Sequence, residues 1–267
     1  FLLSNIPLER IKKNIELTNI EFTEKIKTSF SNHLVEEFDY LIASDGVFSK
    51  TKSIILKKDT KPKYFNSVAL RGSIKNFDNN DISLYLGSNF HFVIYPLNQN
   101  KEFNFISIIR KKLADQRILD QNLFTNSEFL KSLTNEISQK TSLDLNRKLE
   151  NIKSFPVCVS KKLEKNEKKN IYFLGDALFT FPPSFAQGAS QSIVAAQELY
   201  EEIENNTYNY YKKRLLKIKQ VNFRSNINYF IFHFSNPIII FLRNLILKIL
   251  ANNKNFLDSY LGKIYKD

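Results

Sequence analysis

The order of elements along the 267 residues predicts an α/β fold interrupted by a second, β-rich domain. Three observations carry this. Apolar strand-like runs ending in a Gly/Asp turn and followed by a helical stretch occur twice, at "FDYLIASDGVFSKTKSIIL" and at "NIYFLGDALFTFPPSFAQGASQS". Between them, from Tyr64 to Arg110, strand patterns follow one another, separated by short polar turns. From about Asp115 the texture becomes helical, and it returns to helix after Asn206. The expected layout is an α/β domain built from residues 1–60 and 159–205, a mixed or antiparallel sheet domain over 61–158, and a helical region over 206–267.

Taken in order, "IELTNIEF" and "FDYLIASDG" are short, apolar and rich in branched or aromatic residues, as strands are. "SKTKSIIL" begins a helix. "YFNSVALRGSI", "ISLYLG", "FHFVIYPL" and "FNFISIIR" form a sheet of about four strands, with turns at the Asn/Asp cluster, Gly87 and "NQNK". "SEFLKSLTNEI" is an amphipathic helix with a serine cap. "SFPVCVSKK" and "NIYFLGD" are further strands. Gln187 to Asn205 is a helix whose inner stripe is Ala189, Ile193, Ala196, Leu199 and Ile203. The remainder is helical with a break at Pro237. No internal repeat and no low-complexity linker is present.

Composition narrows the classes. Hydrophobic residues make up 43% of the chain, enough for a substantial core. The single cysteine, Cys158, excludes an internal disulfide framework and fits a reducing, cytoplasmic setting. His33, His91 and His233 lie far apart, and no Cys/His cluster has metal-ligand spacing. The net charge of +12 is spread over a Lys-rich surface without a dense Arg stripe, so no nucleic-acid partner is expected. The chain contains no methionine and shows no signal-peptide pattern at Phe1. We therefore expect a segment whose N-terminal part is missing.

The second Gly/Asp turn is where the chemistry concentrates. A buried strand delivers Asp176 just past its carboxyl end, where α/β sheets bind ligands. Gly-Asp alone is an ordinary turn; Pro182-Pro183 and Gln187-Gly188-Ala189 at this spacing make it a site. The helix that opens at Gln187-Gly188-Ala189 has first backbone N–H groups without internal partners, suited to an anion or to an oxygen that becomes negative. Glycine there lets a flat ligand reach the backbone.

"GDALFTFPPSFAQGASQS" resembles the flavin-contacting GD motif of the class A, single-component flavin-dependent aromatic hydroxylases. "FDYLIASDGVFSKTK" is similar to their second, acidic-glycine motif. "YFNSVALRGSI" and "FHFVIYPLNQNKEFNFISI" resemble sheet strands of the salicylate-hydroxylase-like branch, and the tail resembles its C-terminal helices. The resemblance runs from about Ile15 to Leu250. It implies a Rossmann-like FAD-binding domain whose first βαβ unit is absent, since no GxGxxG occurs. Asp176 would bind the ribityl chain, with Gly175 giving it room. Pro183 would line the flavin face. Gln187, Gly188 and Ala189 would lie at the pyrimidine edge, where backbone donors stabilise the reduced flavin. Asp45 and Gly46 would sit near the pyrophosphate and the path of NADH or NADPH. Arg71, Tyr95 and Pro96 would face a small aromatic or quinone-like substrate; for Tyr95 core packing is the competing role.

The implied activity is a monooxygenation. NAD(P)H reduces FAD, the flavin takes up O2 as a C4a-hydroperoxide, and one oxygen atom passes to the substrate. Epoxidation, a ubiquinone-pathway hydroxylation and a non-catalytic remnant are the alternatives. The chain departs from the family pattern at Phe179 (usually His), Ser190 (Asn), Val194-Ala195 (an acidic pair) and Lys52 (Arg). With the first motif absent, weak FAD binding is expected. "YFIFHFSNPIIIFLRNLILKIL" contains Arg243 and Lys248 and is a poor membrane span. Core or dimer packing is its expected role, and lying on a membrane surface is the alternative.

Overall fold

The computed structural model describes residues 3–74, 77, 80–97, 102–141, 143–166, 168–260 and 262. The "NQNK" turn at 98–101 lies outside them. The chain divides into two compact units, Phe1–Pro62 with Ser160–Thr180 and Gly188–Tyr211, and Lys63–Val159 with Phe181–Gln187 and Lys212–Asp267.

In the first unit, β1 (Leu17–Phe22), β2 (Ile26–Phe30) and β3 (Val35–Phe38) form an antiparallel sheet in that order. The sequence reading anticipated β1 but not β2 and β3. Their segments "IKTSF" and "VEEF" are half polar, and β3 is largely solvent-exposed, so no apolar run marks them. A second, parallel pair joins β4 (Leu41–Ala43) to β10 (Ile171–Phe173). β10 is buried along its whole length. Its Phe173 carbonyl accepts from the Tyr210 hydroxyl at 2.9 Å, and its Phe173 N–H donates to the Tyr211 hydroxyl at 3.2 Å. Helices α1 (Lys50–Leu56) and α6 (Gly188–Glu204) complete this unit.

The inner stripe of α6 differs from the expected one. Ile193 is 68% exposed and Ala189 and Ala196 face outward, whereas Gln191, Ala195, Leu199 and Glu202 are buried. Hydrogen bonding reverses the apolar reading, because the Glu202 carboxylate accepts from the Tyr210 backbone N–H and is satisfied inside.

The second unit is built on an antiparallel sheet ordered β6-β7-β8-β5-β9, from β5 (Lys63–Ile74), β6 (Ser83–Leu86), β7 (Phe90–Leu97), β8 (Glu102–Arg110) and β9 (Leu149–Val159). There are five strands rather than four, because β9 begins at Leu149 and pairs with β5. Gly72 lies inside β5 rather than in a turn. A Cβ there would come within 2.8 Å of the Glu150 carbonyl, so the closeness of β9 requires glycine. One sheet face carries Val68, Leu70, Phe92, Ile94, Phe105 and Ile109, all buried to within 1% of full. It packs against α3 (Gln121–Thr125), α4 (Ser127–Ser138) and α5 (Leu145–Lys148); a short α2 (Asp115–Ile118) precedes them. α4 is capped by Asn126, whose side chain accepts from the Phe129 N–H at 3.0 Å. The expected serine, Ser127, is the first helical residue.

The other face of the sheet is covered at one end by α7 (Tyr210–Phe232). There Tyr229 meets Phe65 edge-on and shares a 2.8 Å hydrogen bond with Ser67. α8 (Pro237–Ala251) and α9 (Lys254–Tyr260) follow. Asn236 caps α8 by accepting from Ile238 N–H at 3.0 Å, which places the break where Pro237 predicted it. Contrary to the expected core packing, Arg243 is the one residue of α8 that is buried. Its guanidinium donates to the Phe232 carbonyl at 3.2 Å and so finishes α7.

A buried imidazole pair also holds α7 to the sheet. His91 Nδ1 and His233 Nε2 lie 3.2 Å apart, and each side chain is only 4% exposed. Burial, then the charge of His233, pushes His91 down to about 3. Burial, then Arg110, pushes His233 down to about 4. The folded rings stay neutral while the unfolded chain takes up protons below about pH 6.5, so stability falls as pH drops from there towards the folded values. Urea denaturation is expected to give a stability about 1 kcal/mol lower per imidazole at about pH 5.5 than at about pH 7.5. Replacing both rings, His91→Gln with His233→Gln, should flatten that profile.

Candidate functional site

β4 and β10 run parallel and in register, Leu41 beside Ile171 and Ala43 beside Phe173, so both chains leave the pair at the same edge. Asp45 follows two residues after Ala43, and Asp176 three after Phe173. The pairing extends one step further, with Leu174 N–H donating to Ala43 O at 2.9 Å. This is the carboxyl-end position at which α/β sheets bind ligands.

The first turn is organised around α1. Gly46 has φ +83°, a conformation that glycine adopts without cost. The Asp45 carboxylate accepts from the Ser49 hydroxyl and, at 3.0 Å, from the Thr51 N–H. Ser49 in turn caps the helix by accepting from Lys52 N–H at 2.9 Å. Partial burial raises the Asp45 pKa, but the hydrogen bonds from Ser49 and Thr51 outweigh it and leave the carboxyl below its usual value. Asp45 is therefore engaged with its own helix. Lys52, the residue in place of the family's arginine, is buried, and its ammonium donates to the Ala177 carbonyl at 2.7 Å. Burial lowers its pKa, with Glu164 and then Asp45 opposing. It joins the first turn directly to the second.

In the second turn Gly175 has φ +59°, and the Leu178 and Phe179 N–H groups both donate to its carbonyl at 3.0 Å. A Cβ there would also come within 3.1 Å of the Ser192 hydroxyl of α6, so the fold itself requires this glycine. Asp176 is solvent-accessible, with its carboxyl raised by partial burial. Gly188 differs from Gly175. It opens α6, is exposed, and a Cβ there would meet nothing within 4 Å. Among the described residues no neighbour accounts for glycine at that position. Ala189 beside it is exposed too. The first unit thus groups Asp45, Gly46, Gly175, Asp176, Gly188 and Ala189, with the N-terminus of α6 and a reachable carboxylate in the same unit. That donor set fits the hydroxyls and the anionic ring edge of a flavin dinucleotide. Like Lys52, Phe179 and Ala195 among the departing residues are buried.

The remaining expected residues belong to the second unit. Pro183 is exposed and starts a 3-10 turn, Pro183–Phe185; Gln187 is half-buried. Between them Ala186 holds φ +52°, which is strained for a residue with a side chain. Arg71 lies opposite Ile106 of β8 and Lys153 of β9; Tyr95 lies opposite Asn104, which lies opposite Ser73. Paired residues share a face, and so do residues two apart, so Arg71, Tyr95, Asn104 and Lys153 all project from the face that α7 covers at its other end. Arg71 and Lys153 are exposed and Tyr95 half-buried. Among the described residues the buried Asn104 Nδ2 has no hydrogen-bond partner. An unsatisfied buried donor costs about 1–3 kcal/mol and calls for an explanation. Asn104 was not among the expected site residues. The available signal was one polar residue within the apolar strand "FNFISI", on the same side as Tyr95 by alternation.

No family model matches the sequence, and no curated protein matches it. Solved structures do. The chain is similar to Klebsiella pneumoniae HpxO, solved with FAD and uric acid, with TM-score 0.68 and 15% identity over 94% of this chain and 66% of that one. A salicylate hydroxylase substrate complex gives 0.69 and 17% over 90% and 68%. The Diels-Alderase PyrE3 of pyrroindomycin biosynthesis gives 0.70 and 16% over 96% and 56%. The chain has the mixed α/β fold of the FAD-dependent hydroxylases, and it spans about two thirds of the length of the first two structures.

Asp45→Ala removes the acceptor for Ser49 and Thr51 at the start of α1. It should lower stability by about 1 kcal/mol near neutral pH, measured by urea denaturation. Since the Asp45 pKa is depressed in the fold, its contribution is present above the unfolded value and is lost as pH falls through the folded one. The variant and the parent should therefore converge in acid.

Proposed function

We propose that the chain belongs to an FAD-dependent monooxygenase that uses NADH or NADPH and O2 to hydroxylate a small aromatic or quinone-like compound. The observation that carries this is Gly188. It is bare and exposed, without a packing reason, at the N-terminus of α6, beside the Gly175–Asp176 turn and within this fold. Asp176 would accept hydrogen bonds from the ribityl hydroxyls. The Gly188 and Ala189 N–H groups would hold the pyrimidine edge and favour negative charge there, an effect of pre-placed donors. Asp45 and Gly46 would border the pyrophosphate, and Pro183 and Gln187 are assigned to the cofactor as well. When bound, the flavin supplies electron transfer from the nicotinamide and activation of O2.

The substrate role goes to the open end of the sheet in the second unit. Arg71 and Lys153 give it positive charge, Tyr95 an aromatic wall, and Asn104 an amide donor awaiting an acceptor. A ring bearing a carboxylate, carbonyl or phenolate oxygen matches these groups. A second reading, a different reaction on the same scaffold, is favoured by the likeness to a Diels-Alderase, since a fold does not set its chemistry. Epoxidation and ring hydroxylation of a quinone precursor belong to this second reading.

Titration with FAD, followed by flavin fluorescence, should show weak but saturable binding. Asp176→Ala should weaken it about tenfold, equivalent to about 1.4 kcal/mol. A signal that never saturates, or one indifferent to Asp176, contradicts the cofactor assignment. Asn104→Ala should leave stability unchanged or raise it, because it removes an unpaired donor. The same change should lower affinity for salicylate used as a probe, measured by calorimetry. Lost stability with unchanged salicylate binding would remove Asn104 from the site.

A further inference from the structure

The C-terminal helices present a surface that the flavin chemistry does not use. On α8, Ile238, Leu242, Leu245 and Ile249 follow helical spacing along one line, flanked by Phe241 and Ile246, and all six are exposed. Ile238 is 71% exposed and Phe241 68%. The side facing the protein is narrow, made of Ile240, Arg243, Leu247 and Leu250. An exposed apolar arc this wide marks an interaction surface rather than scattered surface residues.

α7, which precedes α8 in the chain, adds charge. Leu216, Phe223 and Phe230 recur every seven residues on its exposed face, each at least 60% exposed. Lys212, Lys213 and Lys219 are interleaved with them on that face. Between Glu204 and Asp258 the sequence contains no acidic residue and nine lysines and arginines. Apolar side chains between flexible, snorkelling lysines suit a helix lying in a lipid interface. No described helix is long and apolar enough to cross a membrane. A symmetric contact between two copies would bring two acid-free, cationic surfaces together, which charge repulsion opposes.

We propose that the C-terminal helices α7 and α8 are a docking surface for an anionic membrane, with the outer face of α8 in the headgroup–acyl boundary and the lysines of α7 on the lipid phosphates. The proposal stands independently of the cofactor reading.

The test is co-sedimentation of the whole chain with vesicles of phosphatidylcholine alone and of phosphatidylcholine with about one third phosphatidylserine. Binding is expected to the anionic vesicles and to weaken with salt. Leu242→Ser with Ile246→Ser, at exposed positions, should reduce it at least tenfold, and Lys212→Gln with Lys213→Gln and Lys219→Gln should reduce it while leaving circular dichroism unchanged. Any of the following results would overturn the proposal. One is no vesicle binding by the parent. Another is equal binding by parent and variants. The third is sedimentation of the parent as a dimer that the α8 substitutions dissociate, or binding to a DNA duplex that displaces the vesicles. FAD titration of the α8 variant should match the parent, which separates failure here from failure of the cofactor reading.

Discussion

The hydrogen bond from the buried Lys52 ammonium to the Ala177 carbonyl is the constraint around which the first unit is arranged. It crosses from the helix that follows β4 to the turn that follows β10, two segments more than a hundred residues apart in sequence. Asp45 fixes the start of that helix, and Ser49 caps it. Gly175 supplies the left-handed turn that brings Ala177 into reach. A buried cation needs such a partner, since leaving it unpaired costs more than the bond itself returns. Lysine serves here because one point donor suffices for one carbonyl. In this chain the position works for the fold.

The second unit separates structural and chemical roles on the two faces of one sheet. One face is sealed by apolar packing against α3, α4 and α5. The opposite face is divided along its length. At one end α7 covers it through Tyr229 and the His91–His233 pair, and the other end carries Arg71, Tyr95 and Asn104. Neutral imidazoles can be buried at the covered end, whereas the open end keeps its charges in water. The unpaired Asn104 amide lies at the open end, where a ligand oxygen could satisfy it.

Much of this was legible in the sequence, for physical reasons that differ by element. The long strands and α1 are marked by alternation, aromatic content and a following polar turn, so they could be read locally. The motif residues Asp45, Gly46, Gly175 and Asp176 sit at strand ends because the β4–β10 register puts them there. β2 and β3 were not legible, because a mostly solvated hairpin needs no apolar run. The inner stripe of α6 was misread because Gln191 and Glu202 are buried polar groups. The outward face of α8 could not be read either. Periodicity gives the apolar residues of a helix, and only the tertiary structure shows which of them are covered. Asn104 was visible only as one polar letter in an apolar strand, and its missing partner is a fact of packing.

The most direct test of the central claim, that the two strand-end turns and the start of α6 hold a flavin, is amide hydrogen exchange with and without FAD. The account predicts slowed exchange in two segments, the one after β4 that includes Asp45 and Gly46 and the one from Gly175 through Ala189, with the sheet core of the second unit unchanged. Protection confined to other segments, or none at saturating FAD, would contradict it.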